Sequence, residues 1–223
     1  MNRLAAFALT FIASCAPIPQ DAPPSRAASF AQTLPPMRVF TTTYVAPATR
    51  PNSEIAQDFL DLSFRMESGR NVAQMTRFEG PITVRATGAT NPTMIRDLEE
   101  LLARLRTQAK LDIRMVSPDQ PASITIEAVP RAVLSAAVPK AACFVVPRLT
   151  SWREFKIARR TPQVDWTTLK RRDRAAIFVP ADVAPQEIRD CLHEELAQAL
   201  GPLNDLYRLP DSVFNDDNIQ AVL

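Results

Sequence analysis

Five polar residues near the C-terminal end of the chain have the types and spacing of an acid–base or metal site on a helix. Glu194, Glu195 and Gln198 fall within about one helical turn, and Asn204 and Asp205 follow a glycine–proline pair. Glu194 and Gln198 share one helix face, because residues four apart lie one above the other. Oxygen ligands of this kind suit calcium, magnesium or manganese better than zinc. Glu195 has the chemistry of a general base on a metal-bound water.

The histidine content argues against a zinc enzyme. The chain has one histidine, His193, so it cannot supply the two imidazoles of a zinc-protease helix. His193 also lies about 140° round the helix from Gln198, and we predict that it is a partly exposed surface residue. Because one carboxylate and two amides make a poor zinc site, we predict no catalytic metal and no zinc cofactor. A structural cation held by oxygen ligands remains an open alternative.

The first fifteen residues resemble a bacterial lipoprotein signal peptide. Arg3 precedes an apolar run, Leu4 to Ala13, that is too short to span a bilayer, and Cys15 follows small residues. The resemblance implies a signal peptide over residues 1–15 and a lipid on Cys15 that anchors an exported protein to a membrane. An ordinary secretory signal is the alternative. Because no aspartate follows the cysteine, the periplasmic side of the outer membrane is favoured over the inner membrane.

The rest of the chain divides into a tether and one domain. Residues 16–50 are rich in Pro, Ala and Thr, and we predict a flexible tether there, since such a stretch buries little apolar surface. Residues 51–223 are long enough to form a single domain with its own core. The net charge is +2, and the basic run 170–172 has no interleaved aromatic residues, so we predict no nucleic-acid partner. Four glycines in the whole chain rule out a Gly-rich phosphate loop.

The cysteine count fits export. A lipid on Cys15 leaves two of the three cysteines, Cys143 and Cys191. In an oxidising compartment a disulfide is the expected state of such a pair. It would tie the strand near residues 141–147 to the start of the helix that carries Glu194 and Glu195. Two buried free thiols are the alternative.

The hydrophobic periodicity predicts an α+β fold in which a mixed sheet packs against helices. Ser53 is the predicted cap of the first helix, and Pro92 and Pro185 lie in the first turns of two others. Helices are predicted over residues 54–67, 92–110, 130–138 and 185–200. Strands are predicted over residues 81–86, 111–116, 122–128 and 142–146, and residues 152–158 and 174–179 are predicted to form a hairpin. The stripes predicted to face the core are Ile95, Leu98, Leu102 and Leu105, and Ile188, Leu192, Leu196 and Ala199.

The motif helix resembles that of the metzincin zinc proteases, whose frame is His-Glu-x-x-His-x-x-Gly-x-x-His. When the two are aligned on Gly201, the three ligand positions hold Glu194, Gln198 and Asn204. Only Glu195, in the position of the base, keeps the usual residue. The resemblance therefore implies a zincin-like domain that lacks the histidine ligands.

Two further likenesses extend this one. Residues 211–216 resemble the Met-turn below the metal of metzincins, with Phe214 in place of methionine and Asp216 as a further carboxylate. The lipoprotein signal, the cysteine before Glu-Glu-x-x-Gln-x-Leu-Gly, the Asn-Asp pair and Ser-Val-Phe-Asn-Asp together resemble a bacterial lipoprotein family known as domain of unknown function 2927, over roughly residues 50–223. Zincin-like domains continue with another helix, which implies that this chain is truncated at its C-terminus or closes its core less completely.

Two functions fit these residues. The first is a lipid-anchored cell-envelope protein whose zincin-like domain is a non-catalytic binding or structural module for a periplasmic protein or peptide. Glu194, Gln198 and Asn204 would then form a hydrogen-bonded polar cluster. The second is a metal-dependent hydrolase with an oxygen-ligand site and Glu195 as its general base. The residues favour the first function, because calcium activates water weakly, and they leave enzymatic activity undecided.

Overall fold

The structure is a computed structural model that describes residues 49–209 and 212–215. It contains five helices and one five-stranded mixed sheet, which is consistent with the predicted α+β class. The helices are α1 (Asn52–Phe64), α2 (Pro92–Gln108), α3 (Arg131–Ala137), α4 (Trp152–Ala158) and α5 (Pro185–Leu200). The strands are β1 (Ile82–Gly88), β2 (Ile113–Met115), β3 (Ile124–Val129), β4 (Phe144–Pro147) and β5 (Ala175–Pro180). The predicted signal peptide, the lipidated Cys15, nearly all of the tether, and Asp216 lie outside the described residues.

The five strands form one mixed sheet in the order β2-β1-β3-β5-β4. The first four run parallel, and β4 joins the edge antiparallel to β5. β5 is buried at every position, as expected of a strand that helices cover on both faces. At the end of β1, Gly88 has φ +79°, and a Cβ there would come within 2.3 Å of the carbonyl oxygen of Ala128. Only glycine fits where β1 and β3 approach so closely.

Two different cores lie on the two faces of this sheet. Successive side chains of β5 point to opposite faces, so Ile177 faces α2 and α5 while Phe178 faces α3 and α4. The first core is mainly aliphatic. The second contains a cluster of four aromatic rings with centroids 5.0 to 6.3 Å apart, formed by Phe144, Trp152, Phe155 and Phe178.

A third, small apolar cluster joins the two ends of the described domain. Leu62 of α1 packs with Leu206 and Leu209, and Phe214 is half-buried against them. The N–H of Leu203 also donates to the carbonyl oxygen of Leu62 at 2.9 Å. On the surface above, Arg208 pairs with two aspartates of α1 at 2.7 and 2.8 Å, Asp61 and Asp58. The segment that follows the motif helix is therefore held mainly by α1.

The predicted hairpin of residues 152–158 with 174–179 is wrong. Residues 152–158 form α4, and β5 lies inside the sheet between β3 and β4. Ser151 accepts a hydrogen bond from the N–H of Glu154 at 3.2 Å, which is the first half of a capping box. That local signal, together with aromatic residues three apart, outweighs the alternation that suggested a strand.

The first predicted helix also needs correction. α1 begins at Asn52 after Pro51, with no side-chain cap, so Ser53 lies inside the helix instead of capping it. It ends at Phe64, three residues earlier than predicted. None of the helices in the described ranges is long and apolar enough to cross a membrane.

The two predicted core stripes fare differently. On α2, Leu98 and Leu102 are buried as predicted, and Ile95 and Leu105 are partly exposed but pack against the same core. Met94 and Leu101 are buried there as well. The stripe is therefore broader than predicted. On α5 all four predicted positions are buried, with Ile188, Leu192, Leu196 and Ala199 at most 3% exposed.

Candidate functional site

Three of the motif residues lie on α5, which crosses the aliphatic face of the sheet between β4, β5 and α2. They are Glu194, Glu195 and Gln198. Glu195 and Gln198 are buried, at 3% and 6% exposure, because they border the stripe that packs into the core. Glu194 is half-buried. The helix ends at Gly201, as the sequence predicts.

A disulfide fixes the first half of this helix to the sheet. Cys143, just before β4, is bonded to Cys191 in the second turn of α5, with Cα atoms 5.9 Å apart. This confirms the predicted pairing and the predicted position of the link. Cys191 is 3% exposed, whereas Cys143 is half-buried.

Two carboxylates lie beside that disulfide. Carboxylate oxygens of Glu194 and Glu195 and the Sγ of Cys143 all lie within 4.8 Å of one another. The sulfur of a disulfide is not a thiolate, so Cys143 is no metal ligand in this state. Both glutamates also make further interactions with the surrounding chain.

The two amides of the motif form hydrogen bonds with the N-terminal part of the domain. Nε2 of Gln198 donates to Oε1 of Glu67, in the loop after α1, at 2.9 Å. Nδ2 of Asn204 donates to the carbonyl oxygen of Asp61 in α1 at 3.1 Å. Each amide thus uses its NH₂ group on a protein acceptor. The two positions that hold imidazole in a zinc protease serve here to fasten α1 and its following loop to the motif helix.

These contacts decide how the site fits a zinc ion. Glu194 is one ligand of a suitable type, but Gln198 and Asn204 offer only amide oxygens, which suit harder ions. The NH₂ groups of both amides bond to the N-terminal part of the domain. Zinc prefers imidazole, thiolate or carboxylate ligands. The residues present at the metzincin ligand positions therefore do not fit zinc.

A buried arginine that was not predicted from the sequence caps the C-terminal end of α5. Arg172 is 2% exposed, although its neighbour Arg171 is on the surface. The guanidinium donates to three carbonyl oxygens at the end of the helix, those of Gln198 (2.7 Å), Ala199 (2.5 Å) and Gly201 (3.0 Å). A cation is favoured there, because the unpaired carbonyls form the negative end of the helix dipole.

The remaining contacts of Arg172 are uncharged. The guanidinium lies 4.6 Å from the ring centroid of Trp166, and its Nε donates to Oγ1 of Thr76 at 3.3 Å. Burial lowers the pKa of this guanidinium to about 10, so it is still charged at neutral pH. The only sequence signal for it was a basic run, Lys170 to Arg172, in which one member in three is buried.

His193 lies on the side of α5 that faces α2. It is half-buried, in keeping with the predicted partial exposure. Burial, followed by the charges of Arg104 and Arg189, lowers its pKa to about 4, and Asp97 opposes the shift. Asp97 and Arg189 form a buried ion pair between the two helices at 2.9 Å. His193 is therefore neutral at physiological pH.

The other motif residues lie in the segments that follow α5. Asp205 is half-buried in the segment after α5. Phe214, in the Met-turn-like segment, packs on the cluster around Leu206 and not on a metal position. Nearby, Ser212 and Val213 close one end of a cavity of about 330 Å³ between α2 and α5.

Comparison with known proteins gives the family. No curated protein matches the chain. The model of the family described as protein of unknown function (DUF2927) matches residues 52–223, which include every described helix and strand and the whole motif. The chain is a member of the DUF2927 family.

Proposed function

We propose that this chain is a lipid-anchored protein of the bacterial cell envelope whose zincin-like domain acts without catalysis. In this proposal Cys15 carries the lipid and residues 16–50 hold the domain on the periplasmic side of the outer membrane. The domain binds an extended segment of a periplasmic protein or peptide. The order of its elements, in which a helix with the degenerate motif follows β5, supports the zincin-like assignment.

One observation carries the non-catalytic part of the proposal. Gln198 and Asn204, in two of the three ligand positions, donate hydrogen bonds to Glu67 and to the backbone of Asp61. A site of the metalloprotease type positions water for hydrolysis on a cation with an open coordination position. Here the equivalent side chains link the motif helix to α1, so their role in the fold is structural.

The binding surface follows from the edge strand. Arg148 N–H donates to the carbonyl oxygen of Arg174 at 2.8 Å. Hydrogen-bonded pairs alternate along antiparallel strands, so Phe144 and Val146 bond to β5 and the N–H and C=O of Val145 point outward. Among the described residues, no backbone hydrogen bond reaches these two groups. They can pair with an added strand.

The position of this edge relative to the motif supports a role in binding. The disulfide of Cys143 and Cys191 joins the start of β4 to α5, so the edge lies beside Glu194 and Glu195. The far end of β4 is covered, since Arg148 bonds the turn at 162–165. A peptide would therefore align with the first part of β4 and place its side chains near the two carboxylates.

A metal-dependent hydrolase is the second candidate, and one observation favours it. Glu194 and Glu195 bring two carboxylates together beside the edge strand, where a general base would act on a bound peptide. In this candidate Glu195 is the general base and Glu194 is the first ligand. Gln198 is the second ligand, either Asn204 or Asp205 is the third, and Asp216 is a further carboxylate. This candidate ranks second because the two amides are engaged with α1.

Metal content and hydrolysis separate the two candidates. The purified oxidised protein, dialysed without chelator, should contain no stoichiometric metal and should not cleave a peptide library. Glu195→Gln should then behave as the wild type in both assays. Stoichiometric zinc or manganese, or a peptidase activity that Glu195→Gln abolishes, would replace the binding proposal with the enzyme.

Site-specific photo-cross-linking tests the edge strand. A photoreactive amino acid at Ala142, which is exposed just before β4, should give a defined cross-linked product in intact cells. The same amino acid at Glu99, exposed on α2, is the matched control and should give none. Equal products at both positions, or none at either, would contradict binding at this edge.

The anchor has its own test. Cys15→Ser should release the protein from the membrane fraction and should abolish incorporation of labelled fatty acid. If the variant stays in the membrane fraction with its label, the lipidation site is elsewhere.

A further inference from the structure

We infer that reduction of the Cys143–Cys191 disulfide creates a zinc site formed by the two thiolates with Glu194 and Glu195. This site differs from the metzincin ligand set, because it uses neither Gln198 nor Asn204. It therefore goes beyond the proposed binding function, which concerns the oxidised protein.

The helix places three of the four donors on one face. Cys191, Glu194 and Glu195 are related by three and four residues along α5, and such residues are neighbours on a helix surface. Cys143 comes to the same place from the sheet, because it is bonded to Cys191. The four donors therefore come from α5 and from the bend directly before β4.

The distances suit a small tetrahedral ion. The Sγ of Cys143 and carboxylate oxygens of Glu194 and Glu195 lie within 4.8 Å of one another. Donors round a tetrahedral zinc are about 3.4 to 3.8 Å apart, given the usual zinc–sulfur and zinc–oxygen bond lengths. Small side-chain rotations would close that difference. Thiolate ligands select zinc over calcium or magnesium.

The redox step balances with a dithiol as reductant. One thiolate of the dithiol attacks the sulfur of Cys143, and the Sγ–Sγ bond breaks to release Cys191 as a thiolate. The second thiol of the reductant then releases Cys143, and the reductant leaves as a disulfide. Zinc binding displaces any remaining thiol proton to solvent. In the oxidised protein the same sulfurs are bonded to each other and bind no metal.

Zinc titration of the two redox states tests this inference. The protein reduced with a phosphine should bind one equivalent of Zn²⁺, measured by competition with a chromophoric chelator, and the oxidised protein should not. Co²⁺ added to the reduced protein should give a thiolate-to-cobalt charge-transfer band. Glu194→Gln with Glu195→Gln should weaken zinc binding by at least about 100-fold, more than the usual loss of an outer-shell partner. Glu99→Gln with Glu100→Gln, on exposed α2 positions, should leave it unchanged.

A second pair of variants removes the need for a reductant. Cys191→Ser leaves the thiol of Cys143 beside both glutamates and should bind zinc in air-equilibrated buffer. Cys143→Ser removes the sulfur that lies nearest to both carboxylates and should bind it much more weakly.

Three outcomes would overturn the inference. They are equal zinc affinity in the oxidised and reduced protein, zinc binding that the glutamine double variant leaves intact, and loss of the fold on reduction that added zinc does not restore. Failure of the proposed binding function would leave these results unchanged, because it is measured on the oxidised protein by cross-linking at Ala142.

Discussion

The two halves of α5 are held in the fold by opposite means. The first half is bonded covalently to the sheet edge through Cys191 and Cys143. The second half has no covalent link, and a buried cation, Arg172, takes up its last carbonyl groups. One attachment depends on the redox state of the surroundings, whereas the other depends on a charge that burial leaves intact at neutral pH.

In the proposed non-catalytic role, this difference explains how the motif would keep its shape without a metal. In a zinc protease, the ion holds the helix and the segment after it together through the three ligands. Here Arg172 closes the helix end, while Gln198 and Asn204 fasten α1 across it. In that proposal, several neutral or singly charged contacts take the place of one divalent ion.

Removal of the disulfide should have the largest effect. Cys143→Ala with Cys191→Ala opens a loop between residues 48 apart, and the loop-closure entropy predicts a loss of about 4 kcal/mol of unfolding free energy. Urea unfolding of the double variant and of the wild type, with and without reductant, measures it. Reductant should destabilise the wild type alone. A difference below about 1 kcal/mol would show that β4 holds the first half of α5 without the bond.

Arg172→Met should follow. It removes the donors to three buried carbonyl groups and the charge at the helix end, so we expect a loss of about 3 kcal/mol. Arg172→Lys keeps the charge but lacks the planar fork, and it should restore part of the loss. Arg171→Met, at an exposed neighbour, is the control. If the lysine variant is no better than the methionine variant, charge plays no part in closing the helix.

The link between the motif and α1 should contribute less. Gln198→Ala removes the donor to Glu67 from a site that is 6% exposed, and we expect a loss of about 1–2 kcal/mol. A double-mutant cycle with Glu67→Ala isolates the pair, and unfolding curves supply the four free energies. A coupling energy of zero would mean that Gln198 acts through packing alone.

The smallest expected effect is the pH dependence set by His193, between the two halves. Its folded pKa is about 4, below the ordinary 6.5, so the unfolded chain binds the proton first as the pH falls. Stability is therefore complete above pH 6.5 and declines toward pH 4. Because the residue is half-buried and faces Arg104, Arg189 and Asp97, we expect a loss on the order of 1 kcal/mol after solvent screening.

His193→Gln is the reference for that measurement. Subtracting its stability at each pH removes the contribution of the carboxylates, which titrate in the same range. Unfolding curves at pH 7, 5.5 and 4 give the unfolding free energy of each protein. As the histidine becomes charged in the unfolded chain, the free energy of the wild type should fall relative to that of His193→Gln. A constant difference between them would contradict the lowered pKa.

The sequence was sufficient where periodicity was long and unambiguous. α2 and α5 each carry several apolar residues at helical spacing and a proline in the first turn, so their positions and much of their buried faces were predicted. The disulfide was predicted from the count of cysteines. Short elements were harder, because α4 has seven residues and its apolar positions match either period.

Contacts between distant parts of the chain lay beyond sequence reasoning. Nothing in the local sequence marks Arg172 as buried and Arg171 as exposed. The distinction arises only in the folded chain, where Arg172 contacts the carbonyl groups at the end of α5. Likewise, Gln198 and Glu67 are 131 residues apart. The sequence showed that the motif lacks the histidine ligands of a zinc protease, but the partner of each amide depends on how α1 folds back.

The small cluster that joins α1 to the segment after α5 has a mechanical consequence. A pulling force applied to the chain at residue 50 would act on α1 before it reached any strand. α1 and the loop after it are held mainly by the packing of Leu62, by the ion pairs of Arg208, and by the hydrogen bonds of the Gln198 and Asn204 side chains. Such contacts detach one after another, whereas the sheet behind them must shear as a unit. Tension from the N-terminal side would therefore peel α1 away first and uncover Gln198 and Asn204 while the rest of the domain stays folded.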